Sequence, residues 1–153
     1  MPEKETIRKA RADKRQGKSA STQAGEFVHE EIEHIRHGEH GARSTKQAIA
    51  IGLSKARRAG VKLPPPAKGT TSASTRKRAA SDLKKGAEPA KPAKPSAKRS
   101  RATKTALKHE GHAAASKKAL SKQAKTASRK RSAASRHKSA AKAARTRARE
   151  ARA

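Results

Sequence analysis

The sequence predicts a mostly α protein: a small, marginal helical head of two or three short helices over residues 1–63, then a disordered, helix-prone basic tail. Three observations predict it. Ile7, Phe27, Val28, Ile32, Ile35, Ile49, Ile51, Leu53, Val61 and Leu63 all precede residue 67, leaving only Leu83, Leu107 and Leu120 beyond it, so any apolar core is N-terminal. The net charge of +29 is partitioned, with eight Lys/Arg and eight Asp/Glu in residues 1–40 but 33 bases and four acids in residues 41–153. After Leu63 the triplet Pro64-Pro65-Pro66 ends the apolar part of the chain, disfavouring helix in the residue before it and favouring an extended segment.

Residues 1–20 read as a weak N-terminal helix. Pro2 suits a first turn, Glu3 and Glu5 favour the positive end of the helix dipole, and Gly17 marks the stop. Ile7, helped by Ala10, is its only large apolar anchor.

Residues 21–63 read as a helical hairpin. From about Gln23 to His37, Ala24, Val28, Ile32 and Ile35 recur at helical spacing with Phe27 at the edge, while Glu26, Glu30, Glu33, His34 and His37 form a solvated stripe. Gly38 and Gly41 break this helix. In the next one, Ser44 and Gln47 stand in capping-box positions, Gly60 can take the left-handed conformation with Val61 folding back, and Arg57 and Arg58 complement the negative end of the dipole. Ile49, Gly52, Leu53 and Ala56 face the neighbouring helix, with Gly52 allowing close approach. Ile51 lies with Lys55 and Arg58 on a second surface, predicted to meet a partner or a second copy of the head.

Residues 64–100 are a Pro/Ser/Lys-rich linker by composition, and residues 101–153 a Lys/Arg/Ala-rich tail. The tail has strong helix formers but no apolar stripe to hold a helix against anything, which predicts disorder with helical bias.

The stretch HEEIEHIRHGEHGARSTKQAIAIGLSKARRAGVKLP, His29 to Pro64, resembles a bacterial family known only as a domain of unknown function, the most specific part being KQAIAIGLSKARRAG from Lys46 to Gly60. DKRQGKSASTQAGEFV and ALKHEGHAAASKKALSKQAK are similar to longer members of the same group. That resemblance implies no activity. Separately, KPAKPSAKRSRATKTALK is similar to the Lys/Ala/Pro-rich tails of linker histones and bacterial histone-like proteins, a likeness that implies DNA binding without sequence preference.

Charge points to phosphate neutralisation. The bases expected to meet nucleic acid are Lys98, Arg99, Arg101, Lys104, Lys117, Lys118, Lys122, Lys125, Arg129, Lys130, Arg131, Arg136, Lys138, Lys142, Arg145, Arg147 and Arg149. With one Phe and no Tyr or Trp, the chain lacks the stacking surfaces that single-strand binders use. The expected function is histone-like DNA binding and compaction, in the cytoplasm and associated with the nucleoid. The alternatives are an RNA- or ribosome-associated stress protein, or an adaptor whose tail is only a tether. DNA is the leading partner and RNA the second; the head offers a route to self-association.

Histidines 34, 37 and 40 invite a metal reading, but no cysteine or distant ligand group completes it. The Glu31-x-x-His34 pair is half of a carboxylate-bridged di-iron site without its second half. The expectation is therefore no metal and no cofactor, with His34, His37 and His40 the residues to watch and Glu30–His34 and Glu33–His37 paired along the helix. A helix-turn-helix with Lys46 and Gln47 on a recognition helix is disfavoured by the long Gly38–Arg43 turn. No nucleophile stands beside a base and no glycine loop is built to cradle phosphate, so an enzyme is not expected.

Overall fold

The computed structural model describes residues 2–87 and 96–152. These residues form seven α-helices and one 3-10 turn: α1 (Lys4–Arg15), α2 (Ala20–Arg36), α3 (Thr45–Arg58), α4 (Ala73–Ala87), α5 (Ala97–Lys108), the turn Ala113–Ala115, α6 (Lys117–Arg129) and α7 (Ala133–Glu150). Two units emerge, Met1–Ser116 and Lys117–Ala153.

This overturns the expectation of a short helical head followed by a disordered tail. Helix continues through the described part of the tail, and α4 occupies the stretch read as linker; the linker's residues 88–95 lie outside the described residues. Helix propensity is the physical reason. Ala, Lys and Arg are among the strongest helix formers, and neither α6 nor α7 contains a Gly or Pro. Backbone hydrogen bonding within each helix does not require the apolar stripe whose lack argued for disorder.

In the first unit α2 is central, packed between α1 and α3, and α4 lies on α3. Phe27, Ala24, Ala10, Ala56 and Val61 form the core, with Ile7, Ala20, Leu53 and Leu63 packed around it. At the α2–α3 seam the buried residues of α3 are small: Ala48, Gly52 and Ala56, four apart, while Ile49 and Leu53 flank them half-buried. A Cβ on Gly52 would stand 2.7 Å from Val28 Cα and 2.9 Å from the Phe27 carbonyl oxygen, so glycine sets the closeness of these helices.

Local chemistry ends the first three helices in one way. Gly17, Gly38 and Gly60 take φ of 71°, 79° and 91°. The N–H groups that follow reach back five residues, Lys18 to Asp13 O at 2.9 Å, Glu39 to His34 O at 3.0 Å and Val61 to Ala56 O at 3.1 Å, the Schellman arrangement. Ser19 and Ser44 cap α2 and α3, accepting from Thr22 N and Gln47 N. Gln47 Oε1 reaches back to Arg43 N at 3.0 Å, one residue beyond the cap itself.

The docking of α4 rests on Asp82. This buried carboxylate accepts from Ser54 Oγ at 2.6 Å and from Arg58 Nε at 2.7 Å. Asp82→Ala is expected to lower stability by about 2 kcal/mol, the range for hydrogen bonds to a charged group. Chemical denaturation checks the loss, and limited proteolysis should find new cleavage within Ala73–Ala87 as that helix detaches.

The former tail also returns to the head. Gly41 N donates to Leu107 O at 2.9 Å, Ala42 N to Gly111 O at 3.1 Å, Arg36 Nε to Ala115 O at 3.0 Å and Thr45 Oγ1 to Ala114 O at 2.7 Å. Ala115 is fully buried there. Residues 107–115 thereby hold the α2–α3 loop in one conformation.

Candidate functional site

All seventeen bases named from the sequence are exposed. On α6, Lys118, Lys122, Lys125 and Arg129 fall at i, i+4, i+7 and i+11, which is one stripe, while Ala119, Leu120 and Gln123 on another side are half-buried. On α7, Lys138, Lys142, Arg145 and Arg149 repeat the same spacing, with Arg136 and Arg147 on the opposite side. Each stripe runs about 16 Å along its helix. Lys117–Ala153 holds fourteen Lys/Arg and one acid, Glu150, so this charge cannot be neutralised within the unit.

Arg131 differs from the other bases. Just before the Ser132 cap of α7, its guanidinium donates to the Ser135 carbonyl at 2.9 Å and to the hydroxyls of Ser135 and Ser139. It therefore braces the first turns of α7. Beside it, Ser132, Ser135, Ser139, Lys138 and Lys142 line a shallow open groove, an array of hydroxyls and ammonium groups suited to phosphate oxygens. Lys98, Arg99, Arg101 and Lys104 stand on α5, where no residue is buried.

The surface predicted to meet a partner is committed inside the chain. Arg58 reaches Asp82, and Lys55 Nζ lies 2.7 Å from Glu31 Oε2 and 3.2 Å from Glu30 Oε1; Ile51 beside them is half-buried. Asp82 of α4 takes Arg58, whose side chain stays 60% exposed, whereas the partners of Lys55 lie on α2 within the hairpin itself. Arg57 is also buried, its guanidinium donating to the Leu63 and Pro64 carbonyls and so leading the chain away from α3; burial lowers its pKa.

Of the solvated stripe expected on α2, Glu30 is buried, Glu26, Glu33 and His34 are half-buried, and only His37 is exposed. Glu30 and Glu31 are buried, Glu31 completely. Burial pushes the Glu30 carboxyl up, but hydrogen bonds from Thr6 and the Glu3 backbone N–H, together with the Lys55 charge, outweigh it and leave the pKa lowered. Burial likewise pulls the Lys55 ammonium down, and its contacts with Glu31 and Glu30 more than offset this, raising its pKa. The pairs expected along the helix give way to others. His34 Nε2 meets Glu3 Oε1 at 3.1 Å and Glu39 Oε1 at 3.8 Å, while Glu33 Oε1 is taken by Arg36 at 2.7 Å.

His37 is exposed at the end of α2, apart from the other two histidines. The folding of the Gly38–Gly41 loop brings His40 back beside His34, their ring centroids 6.3 Å apart, and a ligand atom from each of Glu31, His34 and His40 lies within 4.8 Å of the others. Sequence reasoning put His34 and His40 in one neighbourhood and paired Glu31 with His34 as half of a di-iron site, but did not join the three residues in one cluster. The spacing of Glu31, four residues after Phe27 and four before Ile35, puts it on the apolar face of α2, whereas Glu30 and Glu33 fall off that face.

No helix among the described residues is long and apolar enough to cross a membrane. No curated protein and no solved structure matches the chain. Residues 6–68, which hold most of α1, all of α2 and α3 and the proline triplet, match the model described as a family of unknown function, DUF6496. A domain-of-unknown-function family is thus what the N-terminal part of this protein is similar to.

Proposed function

We propose that the protein binds nucleic acid without sequence preference, neutralising the phosphates of duplex DNA with its exposed basic helices and compacting it within the nucleoid. The observation that carries this reading is the pair of four-base stripes on α6 and α7, in a segment with fourteen bases and one acid. Each base that meets a phosphate releases condensed counterions, and the gain is entropic and independent of sequence. The single aromatic side chain, Phe27, is 1% exposed in the core, so base stacking has no aromatic platform, which favours the duplex backbone over splayed single strands.

Titration of the full chain against random-sequence duplex DNA tests the reading. Log affinity is expected to fall linearly with log salt, with a slope several units deep, and to be the same for unrelated sequences. A salt-insensitive complex overturns it. If structured RNA outcompetes duplex DNA at matched ionic strength, RNA becomes the partner and DNA compaction is abandoned.

A further inference from the structure

Two buried carboxylates in the α2–α3 seam share one ammonium. Lys55 is within 3.2 Å of Glu30 and 2.7 Å of Glu31, and Glu30 has the Glu3 backbone N–H as a further partner at 3.2 Å. Glu31 has none. Lys55 approaches Oε2 closely enough for a strong ion pair, yet neither carboxylate oxygen of this fully buried residue meets a donor in hydrogen-bond geometry. A buried carboxylate left in that state requires more positive charge than half an ammonium supplies.

The neighbouring imidazoles define what can supply it. Glu31 Oε1 faces His40 Nε2 at 3.5 Å. The other ring nitrogen of His40, Nδ1, lies 3.1 Å from the Gly41 carbonyl, an atom that only accepts. Nδ1 is thereby placed to donate, and Nε2, aimed at a carboxylate oxygen, is the ring nitrogen left to take a second proton or a metal ion. Either cation between Nε2 and Oε1 makes the contact attractive. A backbone carbonyl fixing the far nitrogen is also how proteins orient a histidine that ligates metal.

We propose that Glu31, His34 and His40 bind a divalent transition metal of the zinc type. Metal–ligand distances of about 2.0–2.2 Å around a tetrahedral ion put adjacent ligand atoms roughly 3.4 Å apart, which the Glu31–His40 pair already meets. A ring nitrogen of His34, within 4.8 Å of both, closes the third corner by a small side-chain rotation. Glu3 and Glu39, whose Oε1 atoms approach His34 Nε2, stand at the rim, where either can supply a fourth oxygen. Imidazole with carboxylate suits zinc and cobalt better than the all-oxygen preference of calcium or magnesium. The site is preorganised, because the loop carrying His40 is pinned by the Leu107 and Gly111 carbonyls, and it is reachable, because the side chains of His34 and His40 retain 13% and 18% exposure.

The full chain, stripped with a chelator, is titrated with zinc against a chromophoric competitor. One zinc per chain is expected, with binding weakened tenfold or more in His34→Gln and in His40→Gln and unchanged in His37→Gln. Circular dichroism should show both variants still helical, since both side chains lie at the edge of the bundle. Should either variant lose its helices, the cobalt(II) spectrum of the unsubstituted chain decides. An intense four-coordinate visible band supports the site, and a weak six-coordinate spectrum overturns it. The proposal also fails if the chain takes up no zinc, if the two variants bind as the parent does, or if His37→Gln weakens binding as much as they do.

Discussion

Lys55→Met is expected to cost the helical unit Met1–Ser116 about 3–5 kcal/mol, the loss typical when one partner of a buried ion pair is removed and the other stays charged in the interior. Here the consequence is doubled, because Glu30 and Glu31 depend on the same ammonium. Native domains are stable by only about 5–15 kcal/mol, so this one substitution removes a large share of the total. The methionine fills most of the volume of the lysine stem, which separates the effect of charge from that of a cavity. Urea denaturation of chelator-treated protein measures it. Adding Glu31→Gln to the same chain removes one of the two stranded charges and should restore part of the loss. An unfolding midpoint equal to that of the parent would mean that Glu30 and Glu31 need no counter-charge, and the account of the α2–α3 seam would be wrong.

The second large effect is expected on nucleic acid. Replacing Lys118, Lys122, Lys125, Arg129, Lys138, Lys142, Arg145 and Arg149 together by Gln removes both stripes while keeping residues of good helix propensity. If all eight meet phosphates, the slope of log affinity against log salt becomes shallower by about 7, since each contact contributes about 0.9. Affinity for duplex DNA at low salt should fall by about a thousandfold or more, with the far-ultraviolet dichroism unchanged. Gln at Lys98, Arg99, Arg101 and Lys104 instead provides the comparison that weighs α5 against the stripes. Retention of full affinity in the eight-residue variant would place binding elsewhere on the chain and refute the proposed interface.

Apart from the start of α2, which lies at Ala20 behind the Ser19 cap rather than near Gln23, the ends of the first three helices were legible in the sequence because capping is local. Ser44 serves an N–H three residues on, and Gly60 allows Val61 to return to Ala56; every atom involved lies within a few contiguous residues. Gly52 likewise announced a close helix contact, since a missing side chain within an apolar face has few other uses. The seventeen bases were legible for a simpler reason: a charge excess with no acids to answer it stays at the surface.

What the sequence alone determined is therefore where α1, α2 and α3 stop, which small residues lie at their contact, and which segment carries the uncompensated charge. Tertiary structure decided which polar residues are interior. Lys55 and Glu30 stand 25 residues apart, Ser54 and Asp82 28, and Thr45 and Ala114 69, and none of these pairings leaves a trace in local periodicity. Spacing places Glu31 in line with Phe27 and Ile35, but a glutamate buried against a distant lysine carries no local sign of that lysine. Its environment is set by α1, α3 and the loop at Gly41 arriving around it, and that arrival depends on long-range packing rather than on the residues beside it in the chain.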